Sequence, residues 1–298
     1  MKPMCLRGVF FSLAWLVALA CNAASDPLPL ELRGRMEQGA LLIGKVVPGT
    51  RVQLDGHAVR TTAGGIFAIG FDRDAKAEAR LLLVAADGRR REEVLQVKQR
   101  SYAIQSVTGV PQRTVEPPPG QLERIRREQK LVEAARATDS DREDFAAGFE
   151  WPLHGPISGV YGSQRVYNGK PGRPHFGVDV AAPVGTQVRA PAPATVTLAE
   201  PDLFFSGGTL IMDHGYGVSS TFMHLSRVLV KTGEHVQAGQ VVAEVGATGR
   251  ASGPHLDWRI NWFGVRLDPE TVVPPMADTS AAGAADAVPA TDDGAAGR

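Results

Sequence analysis

The 298-residue chain has two cysteines, Cys5 and Cys21, both within its first 21 residues. Disulfide scaffolding is therefore excluded from the rest of the chain, and any metal site there must use nitrogen and oxygen donors. It has no surplus of charge of either sign, with 32 basic against 32 acidic residues. That balance argues against a nucleic-acid-binding protein, which would show a clear basic excess. Long hydrophobic runs are missing as well. The most apolar stretch, "VFFSLAWLVALA" (9–20), has about twelve residues, too few for a membrane span of ~20.

That stretch follows Lys2 and Arg7 and ends in small residues, the pattern of an export signal over residues 1–24, cleaved after Ala20 or Ala24. The expected destination is the periplasm. Cys21 raises lipid anchoring as an alternative, although Ala18-Leu19-Ala20 is a poor lead-in for it.

The chain beyond residue 24 reads mostly as β. From about 30 to 110, short apolar runs such as "ALLIGKVV", "GIFAIGF" and "ARLLLVAADG" alternate with turn signals at Pro48-Gly49, Asp55-Gly56, Gly64-Gly65 and Asp87-Gly88. The spacing suggests a small sandwich resembling bacterial Ig-like modules. "TVEPPPG" (114–120) then opens a linker, expected to run to 145. Within it, "QLERIRREQKLVEAAR" (121–136) has helical composition, with Leu122, Ile125, Val132 and Ala135 near one face and Arg124, Arg126, Arg127 and Lys130 giving a basic side. A solvated linker helix is the expectation. The alternative is an arm that touches an anionic polymer or restrains access to the next domain. That second domain is expected over 149–273, followed by a disordered Ala/Gly/Asp-rich tail over 275–298.

The second domain contains an internal echo: "VGTQVRAPAPATV" (184–196) and "TGEHVQAGQVVAEV" (232–245) share Gly-x-x-Val-x-Ala. Such a repeat is typical of barrel-sandwich hybrids, the fold of biotinyl and lipoyl carriers. Neither copy carries a lysine placed for modification, so a carrier role is remote.

Five of the seven histidines fall between 175 and 255, and three sit in strand-compatible contexts. In "RPHFGVDVAAP", His175 and Asp179 would share one strand face, with Gly177 between them offering no obstruction. In "ASGPHLDWRI", His255 and Asp257 share a face while Leu256 and Trp258 point away. His224 closes "SSTFMHLS". Each motif alone is weak. Three in order, within about eighty residues, supply the donors that metal-assisted hydrolysis needs. His214, in the "MDHGYG" turn, is expected to hydrogen-bond its loop, and His57, His154 and His235 read as surface residues. Arg165 and Tyr167 are plausible groove residues, and 166–173 and 200–208 plausible groove walls.

"PHFGVD", "STFMHLS", "TGRASGPHLDW", "APVGTQVRAP" and "GGTLIMDHGYG" together resemble the lysostaphin-type (LytM-like) zinc endopeptidases, over essentially all of 151–273. The resemblance implies one Zn²⁺, with His175 and Asp179 as ligands and His224 and His255 as catalytic residues. The peptide stems of peptidoglycan would be the substrate, a diaminopimelate-type D,D cross-link would be cut, and wall-remodelling or cell-division regulators would be partners. In that family the second histidine of a His-x-His pair is the third ligand, and here Asp257 stands in its place. Aspartate is an acceptable zinc ligand. Two carboxylates would neutralise the ion's formal charge, leaving its water less acidic or shifting the site toward a harder metal such as Mn²⁺. Alternatively, Asp257 salt-bridges Arg259, and the chain is a metal-free peptidoglycan-binding module or amidase activator.

Overall fold

A computed structural model describes residues 27–107 and 119–276. The expected export signal, Cys21, most of the Pro-rich stretch and nearly all of the expected tail lie outside the described residues. Among the described residues the fold is mostly β with one α-helix, Leu122–Arg136. No described helix is long and apolar enough to cross a membrane.

The largest sheet has eight strands. Its spatial order is His235–Val236, Ala194–Leu203, Gly207–Asp213, Val218–Leu225, His255–Trp262, Val178–Ala181 and Ile157–Gly159, with Val265–Leu267 also pairing with His255–Trp262. Every pairing in it is antiparallel. One face carries Val178, Val180, Leu210, Met212, Phe222, Leu256, Trp258 and Ile260, all buried in a single core. Strand alternation sends their neighbours to the other face. The register puts Asp257 opposite Asp179 and Met223, Arg259 opposite Thr221, and Thr221 opposite Ile211. That second face bears the polar side chains.

The two halves of the internal echo pair reciprocally. Gln187–Arg189 from the first copy pairs with Val241–Glu244 of the second, and Ala194–Leu203 pairs with His235–Val236. Gly185 N donates to Val245 O at 2.9 Å, and the equivalent Gly233 N donates to Val196 O at 2.8 Å. Both glycines have φ of +89°, a conformation that explains why this position is glycine in each copy.

Residues 27–107 form a three-stranded and a four-stranded antiparallel arrangement around a second core that includes Leu42, Phe67, Leu81 and Leu83. They dock directly onto the large sheet. Leu41 and Ala68 belong to its core. Arg100 Nη1 donates to Asp268 Oδ2 at 2.7 Å, and Asp268 N donates to Gly39 O at 2.7 Å. Ile104–Val107 also runs parallel to Gln164–Tyr167.

The helix differs from the solvated expectation. Ile125, Glu128 and Ala135 are buried, and Val132 and Ala135 pack on Leu198, Leu203 and Ile211. Their spacing places them on one helical face. Ile211 identifies the surface they cover as the polar face of the large sheet. Leu122, assigned to the same face by its spacing, is exposed. Glu128 secures the docking, accepting from Phe204 N at 2.8 Å and from Arg124 Nε at 2.6 Å.

Candidate metal centre

The strand His255–Trp262 supplies His255 and Asp257 on one face, as alternation requires. His175 is positioned differently from its expected strand placement. The strand begins only at Val178, and His175 sits before it, with its backbone N donating to Ser163 O and its O accepting from Gly162 N. Those bonds bring its ring to the same place that alternation would have given it. His175 Nε2 lies 3.2 Å from Asp179 Oδ1. His175, Asp179 and Asp257 each present a ligand atom within 4.8 Å of the others.

The donor set fits a metal ion on three counts. His175 Nε2 and Asp179 Oδ1 are buried with no hydrogen-bond partner, and the two unsatisfied atoms face each other. Asp179 and Asp257 stand directly opposite across the ladder, an unfavourable pairing of like charges that one neighbouring guanidinium, Arg259, offsets in part and a metal ion would offset further. Glycines also line the cradle. A Cβ on Gly177 would meet Trp258 O at 2.6 Å, Arg259 Cγ at 2.7 Å and Asp257 Oδ1 at 2.8 Å, and one on Gly159 would collide with the Asp179 carboxylate.

Asp257 has a further partner. Arg259 Nε donates to its Oδ1 at 2.8 Å and Arg259 Nη2 to its Oδ2 at 2.7 Å, a fork-to-fork pair. The guanidinium beside it holds the Asp257 carboxyl below the usual carboxylate range against the opposing effect of burial. A carboxylate has about four lone-pair sites, so each oxygen keeps one for a metal. The salt bridge and the ligand role are thus compatible. The electrostatic expectation changes, however: Arg259 returns one positive charge to a set of two carboxylates. The total then equals that of two imidazoles and one carboxylate, and the metal's water need not be less acidic.

His224 reaches the site by a backbone irregularity. Simple alternation from Phe222 would turn it into the core, but its φ is +63°, an uncommon value for a non-glycine residue. Its ring instead lies 4.9 Å from that of His255. His224 Nδ1 is 2.8 Å from Thr248 O, and His255 Nδ1 is 2.8 Å from Gly253 O. A carbonyl only accepts, so each Nδ1 carries a hydrogen, and in the neutral ring Nε2 is the atom with the free lone pair. His255 Nε2 is 3.8 Å from Asp179 Oδ1. Burial pushes the His224 imidazole below its ordinary pKa, favouring the neutral base.

The other histidines are elsewhere. His214 is fully buried, bonded through Nδ1 to Pro193 O and through Nε2 to Ser220 Oγ, both at 2.8 Å. His57, His154 and His235 are exposed. Arg165 and Tyr167 belong to the strand Gln164–Tyr167, outside the donor cluster. No pattern in the sequence marks the carbonyls of Thr248 and Gly253, which depend on tertiary contact.

The model of peptidase family M23 matches residues 173–269, which include all five site residues. A Pseudomonas aeruginosa crystal structure assigned to peptidase M23 is 32% identical, with a TM-score of 0.59, over 82% of this chain and 93% of that one. The peptidoglycan DD-endopeptidase ShyC of Vibrio cholerae is 37% identical over 105 residues, 35% of this chain and 24% of ShyC. The DD-carboxypeptidase/endopeptidase Mpg of Neisseria meningitidis serogroup B is 36% identical over 110 residues, 37% of this chain and 25% of Mpg. The chain thus spans about a quarter of the length of these two curated relatives.

Proposed function

Because the chain belongs to peptidase family M23, we propose that it is an exported, periplasmic zinc endopeptidase that hydrolyses peptide cross-links of peptidoglycan. His175, Asp179 and Asp257 would hold the ion, on a barrel-sandwich hybrid domain preceded by an Ig-like one. The observation that carries this reading is the convergence of three donors within 4.8 Å, two of them with buried and unsatisfied atoms. Relatives described as a DD-endopeptidase and a DD-carboxypeptidase/endopeptidase support the substrate class.

When bound, zinc supplies Lewis acidity and a water acidified toward neutral pH. The chain's own residues do the rest. Arg259 holds the Asp257 carboxylate in one orientation and keeps it ionised. Thr248 O and Gly253 O fix the two catalytic imidazoles with Nε2 inward. A neutral imidazole so placed accepts a proton at Nε2 and, once charged, donates it to the departing amine. The second ring, when protonated, gives a hydrogen bond to the oxyanion that develops on the scissile carbonyl.

The test is digestion of purified sacculi by the full mature chain, with products resolved by mass spectrometry. Cross-linked muropeptides should fall to monomers, the activity should stop with a chelator, and zinc should restore it. The competing reading, a metal-free binding module or amidase activator, draws on Arg259 engaging both Asp257 oxygens. Sacculus binding without any cleavage by the zinc-supplemented chain would establish that reading instead.

A further inference from the structure

The helix Leu122–Arg136 ends on the polar face of the large sheet with an arginine that has no acid among its hydrogen-bond partners in the described residues. Arg136 Nη2 makes one long contact, 3.4 Å to Thr221 Oγ1, and Arg136 Nε is buried without a partner. Thr221 is the register partner of Arg259, so Arg136 comes down over the strand position that carries Arg259. Arg266 arrives from the other side. It pairs in the ladder with Asn261, on the same face as Arg259, and its Nη1 donates to Asn261 Oδ1 at 2.7 Å. Asn261 is neutral. Among the described residues, Arg136 and Arg266 therefore have only neutral hydrogen-bond partners.

Three guanidinium groups converge here, with Arg173 exposed nearby, and the acids in reach favour Arg259. Asp257 is engaged by Arg259, which Asp179 also attracts, and Glu133, one turn before Arg136, is exposed and acts on Arg266 only at a distance. Burial and the like charges of Arg266 and Arg259 push the Arg136 guanidinium down to about 9, which leaves it cationic at neutral pH. Burial and the charges of Arg259 and Arg173 lower Arg266 as well. Packing cations together with no acid hydrogen-bonded to two of them costs stability, and such an arrangement persists where something else supplies the anion.

We propose that Arg136, Arg266 and Arg259 form an anion subsite beside the metal-competent cluster, completed by the linker helix, that takes a free carboxylate of the peptide substrate. This rests on the peptidase reading for the identity of the substrate and deepens it. Planar guanidinium forks match a carboxylate in bidentate fashion. Arg259 lies two residues along the strand from Asp257, about 7 Å at the usual rise. Extended peptide covers that distance in about two residues. The carboxylate recognised is therefore one carried within about two residues of the scissile bond, and a peptide lacking it is a poor ligand.

The probes are N-acetyl-D-alanyl-D-alanine and its C-terminal amide, titrated calorimetrically into the full mature chain in chelator, where no metal competes for the carboxylate. The acid should bind at least about tenfold more tightly than the amide, as charge-assisted hydrogen bonds require. Arg136→Ala and Arg266→Ala should each abolish that preference, and Arg136→Lys should keep part of it. Arg136→Ala should also raise the thermal midpoint, because it removes an unpaired, desolvated cation. Equal binding of acid and amide to the parent, or a preference that survives both alanine variants, overturns the subsite. So does an Arg136→Ala protein that loses both the preference and stability, which would make Arg136 a structural prop. A preference seen only with zinc restored assigns the carboxylate to the metal, and the subsite then fails while the peptidase reading stands. If sacculi are not cleaved but the preference persists in chelator, the peptidase reading fails and the subsite stands.

Discussion

At the scale of single residues, the two buried imidazoles of the polar strands do different work. His214 is enclosed between Pro193 O and Ser220 Oγ, and burial pushes its pKa down to about 4 from 6.5. The folded state therefore binds fewer protons than the unfolded state between those values, and stability falls as pH drops from about 6.5 to 4. The loss should approach about 3 kcal/mol. Denaturant midpoints measured across that window should show it, and His214→Asn, which keeps a donor near Pro193 O, should flatten the slope. His224 instead faces the His255 ring at the metal-competent cluster and is not among the expected ligands. His224→Ala should retain bound metal while lowering cleavage of cross-linked muropeptides by about 10²–10⁴-fold, the range of a lost acid–base group. An alanine variant that loses its zinc would instead make His224 a ligand.

At the scale of elements, the strand His255–Trp262 is the most legible part of the site, because period-two alternation alone puts His255 and Asp257 together. Alternation pairs His175 with Asp179 for a reason that applies only in part, since His175 precedes the strand and is held by backbone bonds to 162–163. His224 resists the same logic: one left-handed residue reverses the face on which a side chain emerges, and nothing in "TFMHLS" announces a φ of +63°. The helix is legible as a helix but not as a docked one. Its partners Leu198, Leu203 and Ile211 are more than sixty residues away, and sequence spacing carries no information about them. Gly177, an unobstructed gap by its spacing, is needed more strictly than that, since Trp258 O, Arg259 Cγ and Asp257 Oδ1 would all be within 2.8 Å of an added methyl. Gly177→Ala should thus separate the strands Val178–Ala181 and His255–Trp262. A destabilisation of about 1–3 kcal/mol is expected from such overpacking, with weakened zinc retention in a chelator competition. An alanine variant with parental stability and zinc affinity would show that the cradle gives way freely.

At the scale of the whole molecule, the β-rich residues 27–107 and the large sheet share core and polar contacts. Asp268 is the joint that fixes them: it is 2% exposed, pairs with Arg100, bonds Gly39 O through its own N, and accepts from Glu270 N at 3.0 Å. Asp268→Ala leaves Arg100 without its acid and the short helical turn Pro269–Thr271 without its cap. Loss of a buried pair's partner costs about 3–5 kcal/mol, and Arg100 is partly solvated, so about 2–4 kcal/mol is expected. Thermal unfolding followed by calorimetry should show the transition splitting in two as the parts uncouple. A single transition at the parental midpoint would mean that apolar contacts alone hold them.

The proposed metal centre would hold zinc with Asp257 at the position where the lysostaphin-type His-x-His motif has its second histidine. Elemental mass spectrometry on the mature protein and on Asp257→Ala tests it most directly. About one zinc per chain is expected in the parent, as for a mononuclear catalytic site. The alanine variant should hold almost none, because it loses a ligand and leaves the Arg259 cation uncompensated beside the remaining two. A zinc-free parent, or an alanine variant that keeps the parental zinc content, would contradict the account.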